Sequence, residues 1–137
     1  MDTFQVHIIA ADRTFYEGPC VSLVVPTSDG ERGILAHHDS MIAAVQPGTL
    51  RWRVPGQPVQ TAAVSPGMVK VEYDDVLVLV DSAEHPEEID EVRARREADQ
   101  AQEALLQKKS RQEHQIAQAT LARALNRLRV KEHGINP

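Results

Sequence analysis

Residues 83–94 read A-E-H-P-E-E-I-D-E-V-R-A, and the chain changes its hydrophobic rhythm across them. Before them, apolar and polar residues alternate with period two, punctuated by Gly and Pro. After them, residues 95–137 contain one glycine, Gly134, and no proline before the last residue. A change of period at a proline marks a change of architecture. Pro86 lacks a backbone donor and biases His85 away from helix. The acids Glu87, Glu88, Asp90 and Glu91 then read as a first helical turn, where the positive end of the helix dipole favours them. A domain seam is expected here, dividing 1–86 from 87–137.

Upstream of the seam, Phe4, Val6 and Ile8 alternate with Gln5 and His7 as a half-buried strand does. Phe15-Tyr16 begins a second strand that is expected to stop at Gly18-Pro19, and Cys20–Val25 a third that Pro26 is expected to end. Ser28-Asp29-Gly30 is turn chemistry. Short strands follow at Gly33–Leu35, Met41–Val45, Leu50–Val54, Val59–Val64, Met68–Tyr73 and Val76–Val80, separated by Pro-Gly and Asp-Asp turns. About nine or ten short strands at this spacing, with no helical pattern among them, predict an all-β sandwich or flattened barrel. Aromatic residues are 4% of the chain, so Val, Ile and Leu are expected to fill the core.

Downstream, Ile89, Val92, Ala101 and Leu105 fall on one helix face, diluted by Ala94, Ala98 and Ala104. Lys108-Lys109-Ser110 predicts a break. Ile116, Leu121, Leu125 and Leu128, with Ala117 and Ala124 between them, predict a second amphipathic helix ending near Gly134. Two helices joined by a short turn make a C-terminal antiparallel α-helical hairpin. Alanines bury little area, so this hairpin gains little from its own packing and is suited to leaving one surface for another.

The 137 residues carry a net charge of −5, unevenly spread. Residues 1–86 hold five basic and eleven acidic side chains, whereas Arg111–Lys131 holds five basic residues and one acid, Glu113. That distribution suits an acidic protein surface as partner better than nucleic acid. Cys20 stands alone, which excludes an intrachain disulfide and fits a reducing compartment. No apolar run reaches the roughly 18–20 residues a bilayer requires, and the N-terminus does not read as a signal or transit peptide. Membrane association, if any, comes through a partner. His37-His38-Asp39 invites a metal, but adjacent side chains diverge on a strand and the other histidines are scattered, so no metal site is expected. Nothing resembles a nucleophile elbow, a P-loop or a zinc motif, and catalysis by this chain alone is not expected.

Six segments, taken in order, resemble one family. They are F-Y-E-G at 15–18, S-D-G-E-R-G-I-L-A-H-H at 28–38, Q-P-G-T-L at 46–50, V-S-P-G-M-V-K-V at 64–71, I-D-E-V-R-A at 89–94 and L-A-R-A-L-N-R-L-R-V at 121–130. Their order and spacing are similar to the epsilon subunit of bacterial and chloroplast F-type ATP synthases. That resemblance implies a ten-stranded β-sandwich bound to the gamma subunit and the c-ring. It also implies a mobile hairpin that blocks ATP hydrolysis at the alpha/beta catalytic head. The location implied is peripheral, on the cytoplasmic face of the bacterial membrane or the stromal face of the thylakoid. Residues alone leave a second reading, a free-standing β-sandwich adaptor with a helical dimerisation arm.

The resemblance assigns roles by position. Glu31 and His38 are implied c-ring contacts; Arg123, Arg127 and Lys131 edge an apolar stripe that is implied to dock on the beta subunits. Ile89-Asp90-Glu91-Val92-Arg93-Ala94 matches the motif by which some members bind a regulatory ATP, with Glu84, Ile89, Asp90, Arg93, Arg123 and Arg127 as candidate contacts. Gln100 stands where those members carry an arginine, so the ATP implied is weakly and reversibly held. Two loops depart from the family pattern. Ala36 and His37 replace its Pro and Gly before His38, and Ser40 its second Pro. Ser65-Pro66-Gly67 keeps one of two turn glycines.

Overall fold

The computed structural model describes residues 2–107 and 110–135. They divide into two compact units, Met1–Glu84 and His85–Pro137. The first holds ten strands: β1 (Phe4–Ala10), β2 (Arg13–Cys20), β3 (Ser22–Thr27), β4 (Gly30–Ile34), β5 (Met41–Val45), β6 (Gly48–Arg53), β7 (Gln60–Val64), β8 (Gly67–Glu72), β9 (Asp75–Val80) and β10 (Ala83–Glu84). The second holds a 3-10 turn (Pro86–Glu88), α1 (Glu91–Leu105) and α2 (Arg111–Ile135).

Alternation builds the sandwich. Phe4, Val6, Ile8 and Ala10 are buried from β1, Leu23 and Val25 from β3, Val69 and Val71 from β8, and Val76, Val78 and Val80 from β9. The strands are ordered β10-β7-β6-β3-β5-β8-β9-β1-β2, with β4 also on β3. Strand β3 is the fold-over. Ser22–Val24 pair with Arg51–Arg53 of β6, while Thr27 alone reaches Val45 of β5. Pairing is antiparallel except between β1 and β9, where Gln5–Ala10 run parallel to Asp75–Val80. Branched aliphatics fill most of the core as expected, but its largest buried side chain is Trp52, contacted by the rings of Phe15 and Tyr16 at 5.7 and 5.8 Å.

Neither Pro19 nor Pro26 ends its strand. Pro19 lies on β2, at the outer end of the strand order, where a missing donor interrupts no second ladder. Pro26 stays in β3 because its carbonyl accepts from the Gln46 backbone at 2.9 Å and its ring covers Gly48. A Cβ on Gly48 would come within 2.6 Å of that ring. Gly67, the one retained glycine of its turn, is under a tighter constraint. A Cβ there would lie 1.9 Å from the Leu79 carbonyl oxygen.

The seam is finer than one acidic helical turn. Ala83 and Glu84 still belong to the sheet, opposite Val64 and Ala63 of β7. Glu87 and Glu88 lie in the separate 3-10 turn, where the Glu88 carboxylate accepts from the His85 backbone at 2.9 Å. Asp90 then restarts the chain as the N-cap of α1, accepting from the Arg93 backbone at 3.1 Å. Ser110 caps α2 the same way, its hydroxyl accepting from the Glu113 backbone at 3.2 Å. Lys108 and Lys109 of the expected break lie outside the described residues. Helix α2 is described to Ile135, one residue past Gly134.

The apolar face of the hairpin is also corrected. Ala94, Ala98 and Ala101 of α1 and Ala117, Ala124 and Val130 of α2 are buried, while Val92 and Ile116 are 68% and 59% exposed. Small side chains let two helix axes come close, and the larger apolar residues are left on the flanks.

Candidate functional site

In the sandwich, Glu31 is not in the tip turn, which Ser28 and Asp29 form. It sits on β4 opposite Pro26, and its carboxylate is ion-paired with Arg51 of β6. His38 is partly exposed, and its Nδ1 donates to the Asp39 carbonyl at 2.6 Å. The more constrained residue is its neighbour. His37 has a left-handed φ of 65°, a region that favours glycine. Asp74 holds it there: one carboxylate oxygen accepts from the His37 backbone at 2.7 Å, and the other lies 3.2 Å from Nδ1. Asp2 stands 3.2 Å from Nε2, and the Tyr73 ring lies 5.6 Å away. Hydrogen bonds thus hold His37 in a backbone region that glycine adopts without strain. No group of three or more metal-ligating side chains occurs among the described residues.

His7 bridges Glu17 at 2.7 Å and Asp75 at 3.0 Å; the Glu17 hydrogen bond is the main cause that raises its pKa above 6.5. Cys20 is fully buried, which pushes its thiol pKa up. Burial likewise pushes Tyr16 up to about 12, and its hydroxyl donates to the Pro19 carbonyl. Neither group is poised for chemistry near neutrality.

In the hairpin, the candidate residues are brought together in part. Glu84 belongs to the first unit, on β10, and the other five to the second. Ile89 is buried behind the cap that Asp90 makes. Arg93 Nε donates to Glu97 Oε1 at 3.1 Å, and Arg127 Nη1, from α2, donates to Glu97 Oε2 at 3.3 Å. One carboxylate therefore joins two candidate arginines on opposite helices. Lys131 Nζ donates to the Pro86 carbonyl at 3.0 Å, closing the ends of the hairpin. Arg123 is exposed. An open groove of about 290 Å³ further along is lined by Glu97, Gln100, Ala101, Glu113, Ala117 and Thr120 among others. Its ionisable lining is acidic, so the cationic end of the hairpin is the better anion site. Sequence reasoning missed Asp74, which is distant in the chain from His37. It also missed Glu97, although an acid four residues after Arg93 is a readable signal.

A ten-stranded β-sandwich followed by an alanine-packed helical hairpin defines a class of two-unit proteins. The ATP synthase delta/epsilon chain beta-sandwich domain matches residues 3–86, and the long alpha-helix domain of the same chain matches residues 87–132. The protein belongs to the ATP synthase delta/epsilon chain family. The ATP synthase epsilon chain of Ruminiclostridium cellulolyticum is 39% identical over 128 residues, covering 93% of this chain and 95% of the relative. Among solved structures, a chain of the Euglena gracilis mitochondrial ATP synthase OSCP/F1/c-ring assembly aligns with a TM-score of 0.79 at 20% identity, covering 88% of this chain and 76% of that one. A chain from the Tetrahymena thermophila mitochondrial ATP synthase central stalk and c-ring aligns with a TM-score of 0.66 at 14% identity, covering 93% and 95%. At such identities these two likenesses speak for the fold alone. No helix among the described residues is long and apolar enough to cross a membrane.

Proposed function

We propose that this chain is a non-catalytic central-stalk subunit of an F-type ATP synthase. In this reading the sandwich joins the gamma subunit to the c-ring, and the hairpin restrains ATP hydrolysis at the alpha/beta head. The assembly holds it at the cytoplasmic face of a bacterial membrane or the stromal face of a thylakoid. The observation that carries the reading is the contrast within one family-matched chain. A sandwich with a closed aliphatic core is followed by a hairpin whose buried face is mostly alanine and whose Val92, Ile116 and Leu125 remain exposed. Such a hairpin exchanges surfaces at small cost. In the closed hairpin, Arg127 and Lys131 are engaged on Glu97 and on the Pro86 carbonyl. Docking of Arg123, Arg127 and Lys131 on an acidic beta-subunit surface therefore implies opening those contacts. Glu31 and His38, both on the sandwich, are proposed to face the polar loops of the c-ring.

Deleting 87–137 tests this. The assembled enzyme should hydrolyse ATP faster while residues 1–86 still bind gamma. Loss of gamma binding on truncation, or unchanged hydrolysis, overturns the reading.

A second reading is a regulatory ATP held weakly by the closed hairpin. What favours it is the placement of Arg93 and Arg127 on one carboxylate, a spacing that an anion can span. A bound ligand shifts the hairpin only by its differential affinity for the closed state. Calorimetric titration with ATP should give weak binding that Arg93→Ala reduces; no heat up to millimolar ATP sinks it.

A further inference from the structure

Glu97 is engaged at both carboxylate oxygens, by Arg93 of its own helix and by Arg127 of the facing one. Its side chain is 29% exposed and that of Arg127 24%, so the pair lies at the edge of the helix–helix seam, within reach of solvent ions. Two guanidinium groups that converge on one carboxylate from separate helices present the donors that a phosphate also takes. The Asp90 carboxylate does not compete, since it caps the helix.

We infer that Glu97 is the hairpin's internal occupant of an anion site made by Arg93 and Arg127, and that a polyphosphate binds there only by displacing it. This rests on the part of the reading above that makes these two arginines a phosphate-binding pair, whatever group carries the phosphates. Like charges at contact distance repel, and no single guanidinium serves both anions fully. The internal carboxylate therefore lowers affinity for any polyphosphate, beyond the loss from Gln100. It also couples the two events. An anion that displaces Glu97 replaces one bridge between α1 and α2 with another, so the hairpin stays closed in either case.

The test is calorimetric titration of the full chain with inorganic tripolyphosphate and, separately, with ATP. Glu97→Gln keeps the shape and removes the charge; Glu97→Ala removes the carboxylate with the residue of highest helix propensity, which guards against loss of the helix. Helix content by circular dichroism accompanies each. Glu103→Gln, an exposed acid on the same helix, controls for net charge. Both Glu97 variants should bind tripolyphosphate about tenfold more tightly than the native chain. A larger gain is not expected from ion pairs this exposed. Arg93→Ala in the Glu97→Gln background should erase the gain. If ATP binds no better than tripolyphosphate in any of these chains, the nucleotide reading falls and the internal occupant stands. Affinity unchanged in both Glu97 variants, or an equal gain from Glu103→Gln, overturns the inference.

Discussion

The sandwich and the hairpin solve burial in opposite ways. The sandwich core packs Ile8, Leu23, Leu50, Trp52 and a set of valines, each with almost no exposure. Fully burying such side chains contributes roughly 1.5–3 kcal/mol apiece. The hairpin buries mainly alanines, whose single methyl groups contribute about a third of that, and it adds polar ties at Glu97 and Lys131. One unit is fastened by shape and the other by contacts that water and ions can replace. The difference shows where a single chain places large apolar burial and where it relies on small side chains and polar ties. Val92, Ile116 and Leu125 of the hairpin stay exposed on its flanks.

The comparison is broken most directly at Trp52. Trp52→Ala should destabilise the sandwich by about 3–5 kcal/mol, read as a large drop in its calorimetric transition. A shift under 1 kcal/mol would mean that the aliphatic strands alone hold the core. Ala124→Leu tests the other unit. Ala124 has no exposure, so the larger side chain should force the helices apart at about 1–3 kcal/mol, lowering helix content while Trp52 fluorescence, from the only tryptophan, melts as before. A matching loss in the sandwich signal would deny the independence of the two units. Asp90→Ala removes the N-cap of α1 and should cost the hairpin about 1 kcal/mol, with Asp90→Asn recovering most of it.

The smallest effect sharpens the sandwich side. Hydrogen bonding to Glu17, and then to Asp75, raises the His7 pKa above 6.5 in the folded state. Its contribution to stability is fully present below about pH 6.5 and is lost as pH rises through the raised native value. Denaturant midpoints measured across that window should fall with pH, and His7→Gln should flatten the slope. Equal slopes in the two proteins would assign the dependence to other groups.

What was legible in the chain follows from range. Alternation in β1 and the change from strand to helix periodicity are local, and both were readable. The hairpin was readable as a hairpin, but not the face it buries: Val92 and Ile116 outrank alanine in hydrophobicity, and only the close approach of two helices reverses that order. Pro26 looked like a strand end because its accommodation depends on Gly48, far along the chain. Two-residue β10 has no period to detect. His37 had no local signal either, since Asp74, distant in the chain, is what holds its backbone in a glycine conformation. Among the candidate residues, Asp90, Arg93 and Arg127 come from the resemblance, whereas Glu97 offers only its spacing of four from Arg93, and its bond to Arg127 depends on the packing of two helices.

The parallel pairing of β1 with β9 has a consequence for the birth of the protein. Strand β1 can zip to β2 as soon as both are made, but its other edge faces Val76 and Val78, which the ribosome supplies about 70 residues later. At roughly 5–20 residues per second, that edge waits about 4–14 seconds. Meanwhile the nascent chain carries an open hairpin with one bare row of backbone amides, a template for pairing with a neighbour. High contact order also slows the closing step itself. The early hairpin carries Asp12, Arg13 and Glu17, charges of the kind that disfavour edge-to-edge pairing.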